Sequence, residues 1–237
     1  MNRSHPPPRS TASSDSPEAL PFQVRVAASA EDHSAVCAVR AAAYARHSYT
    51  PEVQARLREL DDVDRNSVLL MAENKQTGSV LGTIRLQSTA PVTVFPCEHL
   101  AEVGQDSFLY VDRFAVAQCC ASDVVALALI KAQWYWAHNQ GLLWILGAAL
   151  APLARRYSMV GLRRLRGTDL GFHVTGIHPG QYFSMGERLV DMPTNMLQVA
   201  PFLAPFFSAQ HPDILLEHPP GIDQGFHPKK HKTSPVL

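Results

Sequence analysis

The chain has 237 residues, 46% of them hydrophobic and 18% charged, with 21 Lys and Arg against 21 Asp and Glu. That length and apolar share suit a soluble globular protein with a sizeable core, either one large domain or two small ones. A formal net charge of zero argues against a general nucleic-acid binder, which would carry a basic face, and the longest apolar run, Leu142 to Leu153, is too short to span a bilayer.

Residues 1–20 are rich in Ser, Pro and Arg, and Arg3 and Arg9 precede no apolar core of the kind a secretory signal needs. Such a segment buries too little apolar area to offset its ordering entropy, so a disordered tail is expected. Residues 218–237, dominated by Pro, His and Lys, are expected to form a second tail. A single domain is therefore expected over residues 21–217.

Phe22, Val24 and Val26 alternate with polar or small residues, which predicts a strand. Ser29 precedes a helical stretch from Glu31 to His47, and Thr50-Pro51 forms an N-cap and first-turn pair for a second helix. Ser67 to Glu73 and Ser79 to Gln87 read as a hairpin, with Gly78 supplying the positive φ of the turn. Phe108 to Val116 predicts another strand. Ser122 is placed to cap a long, largely apolar helix that runs to Asn139 and closes at Gly141. Leu142 to Leu146 predicts a fifth strand and Pro152 to Val160 a short helix. Further strands are expected after it, then a helical stretch from Phe202 to Ala209, whose apolar part from Phe202 to Phe207 is either core or the wall of an acyl site. Two strands flanking a long helix imply a parallel pair with a right-handed crossover, and the hairpin before them makes the sheet mixed.

This order resembles that of the GNAT-type acyltransferase fold, an α/β fold with a central mixed sheet and helices on both faces. Four patterns strengthen the likeness: Arg40-x-x-x-Tyr44, Asp61-x-x-Asp64, Gly82-Thr83-Ile84-Arg85-Leu86 and Asp112-Arg113-Phe114-Ala115-Val116. Together, in this order, they resemble the acyl-homoserine lactone synthases, and still more the related N-acyl amino acid synthases. Arg156-Tyr157-x-x-x-Gly161-Leu162 and His211-Pro212-Asp213-Ile214 resemble the second group. The resemblance spans about Val24 to Leu215.

The resemblance implies a fatty acyl donor held as a phosphopantetheine thioester, on acyl carrier protein ahead of coenzyme A, with no permanently bound cofactor. It implies an amino acid as acceptor and an N-acyl amide as product. A lipid product would bring peripheral membrane contact, without a membrane-spanning segment. The alternatives are an acyl-homoserine lactone synthase and a retired fold that binds without catalysing.

By the same likeness, Arg40, Asp61, Asp64, Arg85 and Arg113 belong to an electrostatic network on the acceptor side, with Arg113 of the central strand counted among the catalytic residues. Guanidinium and carboxylate groups suit the two charges of an amino acid. Read on their own residues, the acids from Asp61 to Asp64 could equally be a solvated helix terminus. Arg85 could equally face solvent, because Val80, Gly82, Ile84 and Leu86 share the opposite face of the strand. Arg113, in an apolar strand, needs a partner. Strand alternation puts Asp112 on the other face, so Asp61 or Asp64 is the better candidate.

Forming an amide from a thioester needs a free amine, removal of a proton and an anion site. Where many members carry Glu, three residues before the central Arg, this chain has Tyr110. That leaves Asp112, a water held by nearby acids, or an amine that arrives already neutral. Tyr157 corresponds to a tyrosine that often protonates the departing thiolate. Phe114, Ala115 and Val116, with Gln118, Ala121 and Ser122 of the following turn, are expected to face the pantetheine arm. The turn lacks the usual glycines, and Asp123 brings negative charge to where a diphosphate would sit.

Arg155, Arg156, Arg163, Arg164 and Arg166 form either a docking patch for an acidic carrier or an ordinary solvated helix end. Cys37, Cys97, Cys119 and Cys120 lack CxxC spacing and read as reduced thiols in a cytoplasmic protein. No metal site is expected: His227 and His231 are spaced i,i+4 but lie in the C-terminal tail. Trp134 and Trp136 read as packing residues.

Overall fold

The computed structural model describes residues 18–47, 49–88, 100–166, 171–173, 180–208 and 210–216. The expected tails lie outside them, apart from residues 18–20, and so do Cys97, His227 and His231. The elements are β1 (Phe22–Val26), α1 (Ala30–Tyr44), α2 (Pro51–Arg56), α3 (Asp62–Arg65), β2 (Val68–Asn74), β3 (Val80–Gln87), β4 (Phe108–Val116) and α4 (Ser122–Asn139). They continue with β5 (Trp144–Leu150), α5 (Ala151–Met159), β6 (Arg163–Arg164), β7 (Tyr182–Arg188), α6 (Met192–Val199), α7 (Ala204–Ser208) and β8 (Ile214–Leu215).

Local signals set several of these boundaries. The Ser29 side chain accepts from the Asp32 amide while Asp32 reaches back to the Ser29 amide, a reciprocal box that starts α1. Thr50 caps α2 through the Val53 amide, with Pro51 at its first position. Gly78, at φ +68, closes the β2–β3 hairpin.

Among the described residues the strands form one sheet in the order β6-β7-β5-β4-β3-β2-β1-β8. The β4–β5 pair is parallel, joined by α4 as the spacing predicts, and β1–β8 is parallel too. The other pairs are antiparallel, so the sheet is mixed.

Both faces of the sheet are covered. Val68, Leu70, Ile84 and Leu86 pack with Val125 and Leu129 of α4, while Leu69 and Met71 pack with Val36 of α1. Each such large side chain contributes about 1.5–3 kcal/mol on full burial. Gly82 sets the approach of α4: a Cβ there would lie 2.9 Å from Val125 Cγ1 and 3.1 Å from the Ala115 carbonyl.

Several elements depart from expectation. Strand β5 occupies Trp144–Leu150 rather than 142–146. The amides of Leu143 and Trp144 both donate to Ser107 O, so two residues after Gly141 are used in reaching the ladder. The Gly147-Ala148-Ala149 part has low strand propensity but is flanked by neighbouring strands. Val80 leaves the face of Gly82, Ile84 and Leu86 and joins the α1 side, because the β2–β3 register shifts at Ala72/Glu73. Ser122 is the first residue of α4 and not its cap; its hydroxyl closes the preceding turn instead. The stretch from Phe202 is a 3-10 turn, Pro201–Leu203, followed by the short α7, and Ala209 lies outside the described residues. Helices α3 and α6 and strand β8 were not expected.

Candidate functional site

The side chains singled out by the four motifs converge beside β4. Helix α3 starts with a reciprocal box of its own. Asp61 Oδ1 accepts from the Asp64 amide at 2.7 Å, and Asp64 Oδ2 accepts from the Asp61 amide at 3.1 Å. Asp61 is therefore a helix terminus and a network member at once.

The remaining oxygens take guanidinium groups. Arg40 Nη1 donates to Asp64 Oδ1 at 2.8 Å, with the two side chains only 1% and 2% exposed. Arg85 Nη1 lies 3.0 Å from Asp61 Oδ1 and 3.3 Å from Asp64 Oδ1. Arg113 Nη2 donates to Asp61 Oδ2 at 3.2 Å. Arg85 also grips Asp112 with both ends of its fork, Nε to Oδ1 at 2.6 Å and Nη2 to Oδ2 at 2.5 Å. The two residues face each other in the β3–β4 register. Three guanidiniums thus balance three carboxylates. The solvent-facing account of Arg85 does not hold, since its side chain is 6% exposed.

A bulge places Arg113. Between the Thr83↔Ala115 and Arg85↔Asp112 pairs, two residues of β4 oppose Ile84 alone. Arg113 has φ +50, the only positive φ outside glycine among the described residues. This left-handed conformation costs about 1–2 kcal/mol. It breaks the alternation that would send Arg113 away from Asp112, so both join the network through Asp61 and Arg85.

Burial pushes the Asp61 carboxyl up, but the Asp64 amide, Arg85 and Arg113 together hold it below its ordinary value. The Arg85 guanidinium is opposed by desolvation, yet its carboxylate partners raise it well above its ordinary value. With both oxygens engaged by Arg85, Asp112 is poorly placed to act as a proton acceptor.

Next to the network lies a cavity of ≈ 1350 Å³. It opens where the β4–β5 ladder ends at Val111↔Gly147. Asp112, Arg113, Phe114, Ala115 and Val116 line one wall, and Ala148 and Leu150 line the facing one. Arg85, Tyr157, Gln118 and Ser122 also reach the cavity. Arg40, Asp61 and Asp64 do not line it, so these expected acceptor contacts stand behind Arg85 and Arg113. Ala121 does not line it either and packs against the core.

Sequence reasoning missed part of the wall. Tyr49, Tyr182, Phe183, Arg46 and Arg56 line the cavity beside Tyr44 and Tyr110. The Tyr44 and Tyr49 rings lie 4.7 Å apart across the break before Thr50-Pro51, a pairing that depends on how the chain turns there. Burial pushes the Tyr110 hydroxyl well up, and the Asp112 charge adds to it. Burial likewise raises Tyr157, helped by Tyr44 and Asp112.

The arginine patch is largely neutralised. Arg163 pairs with Glu102 and Glu187, Arg166 with Glu102 and Arg156 with Asp123, while Arg164 lies 3.9 Å from the Phe183 ring centroid. Glu102 and Glu187 are remote in sequence, so spacing could not reveal them. Asp123 is likewise not an unopposed negative charge.

Cys119 and Cys120 are exposed free thiols and Cys37 is a buried one. Trp134 and Trp136 belong to or pack against the main core and do not line the cavity, and the same holds for Phe207. No cluster of metal-ligating side chains is found among the described residues, and no helix there is long and apolar enough to cross a membrane.

The chain is similar to the solved structure of FeeM, an N-acyl amino acid synthase from uncultured soil microbes. The TM-score is 0.60 at 14% identity, over 78% of this chain and 97% of that one. It is also similar to BjaI, a CoA-dependent acyl-homoserine lactone synthase solved with SAM and isopentyl-CoA. That match has a TM-score of 0.56 at 18% identity, over 84% of this chain and 94% of the other. A Desulfovibrio desulfuricans protein described as an acetyltransferase of the GNAT family matches with a TM-score of 0.52 at 13% identity, over 71% and 99% of the two chains. No protein-family model and no curated protein matches the sequence. The chain therefore has the GNAT-type fold that N-acyl amino acid and acyl-homoserine lactone synthases share.

Proposed function

We propose that this chain is an N-acyltransferase that moves a long-chain fatty acyl group from an acyl carrier protein thioester to the amine of an amino acid. The observation that carries this reading is the cavity at the end of the β4–β5 ladder, with the balanced Arg-Asp network beside it. Beyond Val111 the edge of β4 is no longer paired with β5, which leaves a strip of backbone to hold a pantetheine arm. The likeness to FeeM, named as an N-acyl amino acid synthase, supports the acceptor class. Free thiols at Cys37, Cys119 and Cys120 suit a cytoplasmic setting.

In this reading Arg113 takes the acceptor carboxylate. It is the half-buried guanidinium at the cavity wall, held to the network by Asp61 alone among the described residues. Asp61 is fixed in turn by Arg85 and the Asp64 amide, Asp112 grips Arg85, and Arg40 secures Asp64 from behind. The amine enters as its free base and attacks the thioester carbon. The C–N bond forms, the C–S bond breaks, and the nitrogen releases one proton to water. The departing thiolate takes one proton from the Tyr157 hydroxyl, which is then restored from solvent. Asp112 serves as the ion partner of Arg85 rather than as a base.

The donor is tested by steady-state kinetics with palmitoyl-carrier protein and palmitoyl-coenzyme A side by side. The expected result is a kcat/KM higher for the carrier by about tenfold or more, the size of one or two charge-assisted contacts. An equal or higher value for coenzyme A would reverse the choice of donor while leaving acyl transfer in place.

A further inference from the structure

We propose that Arg46 and Arg156 clamp the phosphate of the donor's phosphopantetheine, replacing a glycine-rich phosphate loop. The clamp rests on the acyltransferase reading above.

The turn between β4 and α4 is closed on itself. The Cys119 amide donates to Ser122 Oγ at 2.9 Å, and the Ser122 amide donates back to Cys119 O at 3.2 Å. The Ser122 hydroxyl lies 2.8 Å from Ala117 O and 2.6 Å from Cys119 O. A phosphate loop works by leaving main-chain donors open. Here two of the turn's own amides are spent inside it.

Two arginines bracket this turn. Arg46 follows α1, and its Nη2 donates to Val116 O at 3.0 Å, just before the turn. Arg156 comes from α5 and reaches Asp123, just after the turn, at 2.5 Å. Both line the cavity, as do Gln118 and Ser122 from the turn itself. Each guanidinium has five N–H donors, and its bonds to Val116 O, Ala42 O or Asp123 leave several free. Arg56 also lines the cavity, so Arg46, Arg56 and Arg156 stand against Glu52 and Asp123. The local charge therefore favours an anion although the chain is neutral overall.

Asp123 competes for Arg156, but both side chains are exposed, at 44% and 83%. An exposed pair is weak and gives way to a better acceptor. Two guanidinium forks suit the single phosphate of an arm borne by a carrier; coenzyme A presents the same ester with more charge around it.

The test is a calorimetric titration of the full chain with S-octanoyl-4′-phosphopantetheine and with S-octanoyl-pantetheine, at low and moderate salt. The wild type is expected to bind the phosphorylated probe about tenfold more tightly, with the advantage shrinking as salt rises. Arg46→Ala and Arg156→Ala should each lose most of that advantage and keep the affinity for the unphosphorylated probe, which also reports that the cavity remains folded. Asp123→Asn should widen the advantage, an effect that a purely structural role for the pair would not produce. Equal affinity for the two probes in the wild type would overturn the clamp and leave the donor reading intact. If neither probe bound, the donor reading would fail and the clamp with it. Holo-carrier protein and coenzyme A, used as competitors, identify the source of the phosphate: the one that displaces the probe at lower concentration, and less well from Arg46→Ala, is the natural bearer.

Discussion

Arg85→Ala is expected to destabilise the fold by about 3 to 5 kcal/mol, the range for removing one partner from a buried charge cluster. Arg85 touches Asp61, Asp64 and Asp112 at once. Without it, Asp64 keeps Arg40, Asp61 keeps Arg113, and Asp112 loses both of its guanidinium contacts. Asp61 and Asp64 at the start of α3 and Asp112 on β4 are then left facing a lost positive charge, with Asp64 the most deeply buried of the three. Arg85→Lys should recover only part of the loss, because an ammonium cannot grip Asp112 at two points.

The effect also depends on pH. Arg85 helps to hold Asp61 below its ordinary value. A carboxylate of this kind contributes stability above its unfolded pKa of about 3.9, and loses it as pH falls through the folded value. The stability gap between wild type and Arg85→Ala, measured by urea unfolding, should therefore narrow below about pH 4. A gap under 1 kcal/mol at pH 7, or one that widened on acidification, would contradict the network account (roughly the worth of a surface pair).

Tyr157→Phe is expected to lower kcat by roughly 10²-fold, the low end for loss of a general acid, with little change in melting temperature. Tyr157 lines the cavity opposite β4 and is itself almost fully buried. Burial raises its hydroxyl above the ordinary tyrosine value, with Tyr44 and Asp112 adding to the shift. It therefore stays protonated below about pH 10 and can give a proton to a thiolate throughout that range. The ratio of wild-type to variant kcat should accordingly be flat between about pH 6 and 9. Removing the hydroxyl leaves the ring and its packing in place. An unchanged kcat would remove Tyr157 from the chemistry, and a large fall in melting temperature would make it a packing residue instead.

Much of the fold was legible because its signals are local. Ser29, Thr50-Pro51 and Gly78 act within a few residues of where they stand. The long α4 crossover follows from one apolar helix between two strands. What escaped depends on tertiary context. Gly147-Ala148-Ala149 becomes strand because β4 and β7 flank it, and α6 has no strong propensity signal beyond Pro193.

The candidate site divides in the same way. Arg40, Asp61, Asp64 and Arg85 were read from their resemblance to a family, and they do meet in space. The Arg85–Asp112 fork was not read, since it depends on cross-strand register and on the bulge at Arg113. Alternation alone would have kept Asp112 and Arg113 apart. The arginines after α5 looked like a patch because Glu102 and Glu187, which balance Arg163, lie 61 and 24 residues away. Tyr49 and Tyr182 reach the cavity from elements with no motif to mark them.

Acyl transfer to an amino acid is tested by mass spectrometry of lipid extracts from cells overproducing the wild type and Tyr157→Phe. A long-chain N-acyl amino acid is expected in the wild-type extract, and markedly less of it with the variant at equal protein level. An acyl-homoserine lactone in its place, or no acylated product from a protein that is folded and still binds a carrier protein, would contradict this expectation.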